Sequence, residues 1–334
     1  MKSDKKLILY PCIKVVKGVK RSALYDLQRY KIFPIPNSYL ELFSGNCVDI
    51  NKAYTKFPDD TIIINNFEKF LIDNELAIKI GNLSENFFKE LDDDYFSPVL
   101  FNHAILDYDC KKSYPLKDAI SQLSELRCEG VKIRLYDRFS LKYIINIIKM
   151  FNNTSIRGVE LIIQYDDYIY KSTNFSEILD KSHRIQSVLV SNSPLKIKSL
   201  YNKLSKKIIF SHDIINNASH CGIFHPSFLR PIQDFYLLSI NYNNCLYGLI
   251  SIDRKGNICN CPSIDYSYGI FPKTSLLDIQ KINSFFELWS ITKDKIETCK
   301  DCELRYACQD CRAFLDLSNN KFNKPVKCKY NPYK

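Results

Sequence analysis

The segment Cys299-Lys-Asp-Cys302-Glu-Leu-Arg-Tyr-Ala-Cys308-Gln-Asp-Cys311, followed by Cys328, places five thiols within thirty residues. Two residues between cysteines let a tight turn aim both sulfurs at one centre, with backbone N–H groups left over to lower the thiolate pKa. A lone Cys-x-x-Cys is a weak signal. Here two such pairs are separated by five residues, and a second group lies upstream at Cys245, Gly256 and Cys261, with Cys259 beside it. Clustering of this kind points to metal binding rather than to scattered core thiols. Four thiolates suit zinc as well as an iron-sulfur cluster, so the spacing alone leaves the metal open.

The remaining chemistry-bearing residues are dispersed. Cys12, Cys47 and Cys128 lie apart in apolar or helical surroundings and read as packed thiols. His220, Cys221 and His225 form the one other group, without a second Cys-x-x-Cys or a helical His pair beside it. No residue is assigned a catalytic role.

Thirteen cysteines in 334 residues, an odd number without a secretory signal, argue for reduced, metal-binding thiols and a cytoplasmic protein. The net charge of +10 is spread over scattered lysines with no concentrated basic stripe, and the aromatics follow no stacking pattern, so nucleic acid is not an expected partner. The apolar run Leu7 to Val16 is broken by Pro11 and Lys14 and is too short to cross a membrane.

Several elements must position these thiols. Residues 1–90 read as a winged-helix-like unit: strands over Leu7 to Val16 and Arg21 to Tyr30 about a Gly18 turn, then a helix, then a strand over Glu75 to Ile80. In that helix Ile63, Ile64, Phe67, Phe70 and Leu71 share one face, with Asp60 or Thr61 as N-cap. After the polar join Leu91 to Tyr95, strands are expected at Ala104 to Tyr108, Val131 to Tyr136, Val159 to Tyr165, Gln186 to Ser191, Lys207 to Ser211 and Phe235 to Ile240. Amphipathic helices separate most of them: Ile120, Leu123 and Leu126 line the first, and Leu141, Ile144, Ile145 and Ile148 the second. This alternation predicts an α/β fold, a partial (βα)6 barrel over 96–242, with the cysteine-rich domain over 243–334.

The pattern Cys245-x10-Gly256-x4-Cys261, then Cys299-x2-Cys302-x5-Cys308-x2-Cys311 and Cys328, resembles the SPASM domain at the C-terminus of radical SAM peptide maturases, shortened by one residue before Cys311. The surrounding words, among them Gly256-Asn257-Ile-Cys-Asn-Cys261-Pro262 and Arg305-Tyr306-Ala-Cys308, resemble the maturases of grasp-with-spasm systems. The N-terminal layout resembles PqqD-like leader-recognition units, which take up a peptide as an added strand.

These resemblances imply a maturation factor for a ribosomally synthesised peptide, with a precursor (leader) peptide and an ATP-grasp ligase as partners and no membrane partner. One 4Fe-4S cluster would use Cys299, Cys302, Cys308 and Cys328. The other would use Cys245, Cys261 and Cys311, its fourth ligand being Cys259, the nearest candidate, or Cys221, or an open iron position. The radical SAM triplet Cys-x3-Cys-x2-Cys is missing: counting from Cys110, the other positions are Tyr114 and Lys117. No S-adenosylmethionine site and no radical chemistry are therefore expected. Pro262 stands where sulfatase-maturing relatives carry an acidic base. The alternative from another class is a zinc-ribbon-type binding protein for nucleic acid or an acidic partner.

Overall fold

The computed structural model describes residues 6–79, 87–110, 114–167, 181–194, 199–201, 207–316, 318 and 320–334. No helix among them is long and apolar enough to cross a membrane.

The first strand-like run divides in two, β1 (Lys6–Leu9) and β2 (Ile13–Val16), because Pro11 sits in a turn closed by the Ile13 N–H donating to the Tyr10 carbonyl at 2.8 Å. The next strand, β3 (Arg21–Asp26), stops short of Tyr30. The Asp26 carboxylate accepts from the Gln28 and Arg29 N–H groups, and Tyr30 takes a φ of 60°, so the chain reverses into β4 (Lys31–Pro36). After β5 (Phe43–Ser44) and β6 (Cys47–Asp49) come α1 (Ile50–Lys56), capped by Asp49, and α2 (Thr61–Asp73); β7 (Ala77–Lys79) follows.

Helix α2 buries Ile64, Phe67 and Leu71 as expected, but Ile63 is exposed, since it lies one position round from that stripe. Asp60 holds the N-cap position without a side-chain bond to the helix. The expected last strand is β7; Ile80 lies outside the described residues. Two antiparallel sheets result, ordered β5-β6-β1-β7 and β2-β3-β4.

The larger sheet contains β8 (His103–Tyr108), β9 (Gly130–Leu135), β10 (Gly158–Gln164), β11 (Ile185–Ser191), β12 (Ser199–Tyr201), β13 (Lys207–Phe210), β14 (Leu249–Ile252) and β15 (Ile258–Cys259). Its order is β12-β13-β11-β10-β9-β8-β14-β15. The strands β13, β11, β10, β9, β8 and β14 run parallel, and β12 and β15 add antiparallel edges. Apolar residues such as Val131, Ile133, Val159, Leu161 and Val188 are fully buried in it. Helix α3 (Leu116–Glu125) packs Leu116, Ala119, Ile120 and Leu123 inward, and α4 (Leu141–Lys149) packs Ile144, Ile147 and Ile148. Fold class is thus mixed α/β with a large, predominantly parallel sheet.

Five of the six expected strands form within a residue or so of their expected bounds. The sixth does not. Residues Phe235 to Ile240 belong to a helix, α5 (Gln233–Asn241), which buries Phe235, Tyr236 and Ser239 at helical spacing. A short apolar run carries either reading, and Pro231 with the first-turn Asp234 favours a helix start. The sixth parallel strand is β14, which pairs with β8 at the opposite edge from β13, so the sheet crosses the expected boundary at 242/243. The cysteine-rich segment is rooted directly on the sheet. Beyond β15 the described chain consists of turns and short 3-10 helices.

The β2-β3-β4 sheet leans on that segment. Val16, Ala23, Tyr25 and Leu27 share a buried cluster with Tyr236 and Ala307.

Candidate metal centre

The β14–β15 hairpin sets the first two thiols. Cys245 precedes β14 and Cys261 follows β15, and the turn between is closed by Asp253, whose Oδ1 accepts from the Lys255 and Asn257 N–H groups at 2.7 and 2.9 Å. Gly256 takes φ 85° within it, a conformation that favours glycine.

Two asparagines then tie this hairpin to the downstream thiols. The buried Asn243 accepts from the Cys245 N–H at 3.2 Å and donates to Asp310 at 2.6 Å. Asn244 donates to the Cys308 carbonyl at 3.1 Å and accepts from the Asp310 N–H at 2.8 Å. Sequence reasoning missed both, although Asn-Asn immediately before a cysteine is the visible signal of such cross-bracing.

The thiols meet at a cavity of about 110 Å³ lined by Cys221, Cys245, Cys261, Cys299, Cys302, Cys308, Cys311 and Cys328. All thirteen cysteines of the chain are free thiols. Burial pushes the Cys245 thiol well up, and the neighbouring Cys261, Cys311 and Cys221 push it further. Burial takes Cys261 to about 12, with Cys221 and Cys311 adding to it. Cys302 is likewise pushed up to about 12 by burial and by Cys299 and Cys308; Cys299 goes up to about 11, and Cys308 is raised by burial and by Cys328. Cys245 thus has Cys261, Cys311 and Cys221 as its thiol neighbours, Cys302 has Cys299 and Cys308, and Cys308 has Cys328.

Among the described residues no three of His, Cys, Asp or Glu converge tightly enough to hold a single metal ion. The thiols stand round a space rather than about a point.

Cys221 is brought to the cavity and Cys259 is not. The Cys259 sulfur stays within its own hairpin, facing the Ser251 and Asn257 carbonyls at 3.9 and 3.8 Å. Gly222, at φ 77°, lies so close to Cys311 that a Cβ there would stand 2.9 Å from the sulfur. Lys327, next to Cys328, donates to the Ser219 and Cys221 carbonyls, the latter at 2.6 Å, and sits 3.6 Å from the Phe314 ring centroid. Of the sequence neighbours His220, Cys221 and His225, not expected to form a metal site of their own, His225 lines the same cavity as Cys221 and accepts from the Ser227 N–H at 3.2 Å, while His220 lines a separate opening with Arg230 and Phe228.

A buried charge cluster underlies the cavity. The Lys293 ammonium lies 3.5 Å from the Cys308 sulfur, 3.4 Å from the Gln309 carbonyl and 3.9 Å from Asp310. Asp310 also pairs with Arg312 at 2.7 Å, and all three side chains are almost wholly buried. Two cations thus face one carboxylate, and an anionic occupant of the cavity would offset the excess. The donor set fits such an occupant, since a tetrathiolate metal group carries net negative charge.

At the C-terminal ends of the parallel strands the chemistry is different. The Cys110 N–H donates to Asp137 at 2.7 Å, Tyr114 is buried against Tyr108 and Phe271, Lys117 is exposed on α3, and 111–113 lie outside the described residues. Next to them Arg134 clasps Asp107 at 2.5 and 2.9 Å and Tyr136 donates to the same carboxylate at 2.9 Å. Arg254 reaches Asp109 at 2.7 Å. Charged strand residues of this kind carry no spacing signature, and sequence reasoning passed over them.

Elsewhere the isolated thiols are packed: Cys47 against Ile8, Cys128 fully buried with its sulfur 3.3 Å from the Gly130 carbonyl, and Cys12 half-buried beside Gln28.

No protein-family model matches the chain. No curated protein matches it either. Among solved structures, that of Streptococcus suis SuiB is similar over 97% of this chain and 100% of its own at 10% identity and a TM-score of 0.33. SuiB bound to precursor peptide SuiA is similar over the same shares at 12% identity and a TM-score of 0.32. Both likenesses are loose.

Proposed function

We propose that this chain is a maturation factor for a ribosomally synthesised peptide that holds two iron-sulfur clusters and has no radical SAM chemistry of its own. The observation that carries the reading is the single cavity of about 110 Å³ lined by eight thiols. Cys299, Cys302, Cys308 and Cys328 would hold one 4Fe-4S cluster. Cys245, Cys261, Cys311 and Cys221 would hold the other, Cys221 taking the fourth place in preference to Cys259 because only its sulfur faces the cavity. Such clusters supply one-electron transfer and a covalent staple for a segment otherwise made of turns.

This chain's own residues do the rest. Backbone N–H groups such as that of Leu304, 3.4 Å from the Cys302 sulfur, stabilise thiolates, and the excess buried cation offsets their charge. The precursor would bind along an edge of the β5-β6-β1-β7 sheet, where β5 and β7 are the outer members, through backbone hydrogen bonds. An ATP-grasp ligase, implied by the resemblance around the cysteines, would act on the peptide held there.

The test is iron, sulfide and zinc content with an absorption spectrum on protein purified without oxygen, followed by co-expression with precursor and ligase and mass analysis of the peptide. Iron and sulfide at about eight each per chain, with a modified peptide, is the expected result. Zinc without sulfide overturns the cluster assignment. A peptide modified equally well when this chain is omitted overturns the maturation role.

A further inference from the structure

The two sets of thiols differ in what touches their sulfurs. In the first, the Lys293 ammonium lies 3.5 Å from Cys308. In the second, the contacts described are neutral: the Gln309 amide 3.8 Å from Cys245, and backbone N–H groups near Cys261 and Cys311. Lys293 is buried on a short turn whose other neighbours are the Gln309 carbonyl and Asp310, and Arg312 already engages Asp310 at 2.7 Å. One positive charge is thus left facing the first set.

A lysine so placed is costly unless it faces negative charge, and a structural role alone would be met by an apolar side chain of the same length. Its contact with a sulfur suggests what the charge does. Net charge and hydrogen bonds to the sulfurs are among the levers that set a cluster's reduction potential. An ammonium in contact, in surroundings of low dielectric, favours the state with one more electron.

Resting on the cluster reading above, we propose that Lys293 is a positioning residue whose fixed charge sets the cluster on Cys299, Cys302, Cys308 and Cys328 to accept an electron at a higher potential than the cluster on Cys245, Cys261, Cys311 and Cys221. The two clusters are then ordered in potential by one side chain. Because Cys308 and Cys311 are joined by only two residues, that order is set across a single short segment.

The experiment is a mediated redox titration, followed by electron paramagnetic resonance, of the full-length chain and its Lys293→Met and Lys293→Arg variants, with iron content measured on each sample. The same titration in a Cys245→Ser background, which weakens the second cluster, assigns the signals. Expected is a potential for the first cluster that falls in Lys293→Met by at least tenfold in the reduction equilibrium, about 59 mV for one electron, with the second unmoved and Lys293→Arg close to the parent. Unmoved potentials in iron-loaded Lys293→Met overturn the tuning role while leaving the clusters in place. A parent protein without iron overturns the cluster reading, and the proposal with it. Where Lys293→Met fails to hold its first cluster, Lys293→Gln, uncharged but still a donor, is titrated in its place. Loss of that cluster from both variants makes Lys293 a structural support and overturns the tuning role.

Discussion

The Gly222 backbone lies against the Cys311 sulfur, close enough that a Cβ at residue 222 would stand 2.9 Å from it and equally near the Phe314 ring. This contact seats Cys221 beside the second set of thiols. Gly222→Ala should push the loop away, with a further cost of about 1–2 kcal/mol for a left-handed alanine. The expected outcome is iron content reduced by roughly half, with the first cluster retained. Full iron content in Gly222→Ala would show that the loop's approach does not matter.

A sharper comparison is between Cys221→Ser and Cys259→Ser. The first removes a sulfur that lines the cavity, and the second one that faces its own hairpin carbonyls. Metal content and spectrum should change in Cys221→Ser and remain as in the parent in Cys259→Ser. The reverse pattern would restore Cys259 as the fourth ligand.

The sequence showed where thiols are dense but not which neighbours share a cavity. Spacing along the chain picked out Cys299, Cys302, Cys308, Cys311 and Cys328, which all line the cavity, because neighbours within one turn-rich segment are brought together by local geometry. Cys221 lies far upstream, on a loop that reaches the cavity through contacts such as Gly222 on Cys311 and Lys327 on the Cys221 carbonyl, so local spacing carries no trace of it. The parallel strands were legible because burial on both faces demands continuous apolar runs. That same rule misassigned Phe235 to Ile240, where a helix buries an apolar run of equal length. Strand β14 escapes the sequence pattern because it follows the run of alternating strands and helices and enters the sheet beside β8, at the far side from β13.

Arg134 and Asp107 form a buried bidentate pair on adjacent strands, joined by the Tyr136 hydroxyl. Burial raises the Asp107 pKa, and the Arg134 charge works against that rise. Arg134→Met leaves a buried carboxylate without its cation, and breaking such a pair costs about 3–5 kcal/mol. Denaturant unfolding should read a loss of that size. The double variant Asp107→Leu/Arg134→Met should recover much of it. A loss below about 1 kcal/mol in the single variant would mean that the pair behaves like an exposed one.

Cys128, which does not line the cysteine-rich cavity, offers a separate pH test. Burial pushes its thiol from the usual value near 9 to about 12. A group whose pKa is raised on folding contributes stability that is complete below pH 9 and lost as pH rises toward 12. Three pKa units correspond to about 4 kcal/mol as an upper figure. Unfolding free energy measured from pH 8 to 11 should therefore fall more steeply in the parent than in Cys128→Ala. Parallel slopes would remove the thiol from the pH dependence.

Tyr25 binds the cysteine-rich segment to the N-terminal sheet. Its hydroxyl donates to the buried Glu303 carbonyl at 2.8 Å, next to Cys302, while the Glu303 carboxylate accepts from Arg21 at 2.7 Å and the Val19 N–H donates to the Asp301 carbonyl at 2.8 Å. Both chain neighbours of Cys302 are thereby held by residues 19 to 25, which leaves the first set of thiols dependent on the β2-β3-β4 sheet. Tyr25→Phe strips the Glu303 carbonyl of this donor at a cost of about 1–3 kcal/mol. The fold should persist, since the ring still packs against Tyr236. Metal loss to a chelator, followed by absorbance, should accelerate for one cluster only, with the cluster on Cys245, Cys261 and Cys311 released at the parental rate. Equal acceleration of both would mean that the sheet supports the whole cysteine-rich segment rather than the turn that carries Cys302.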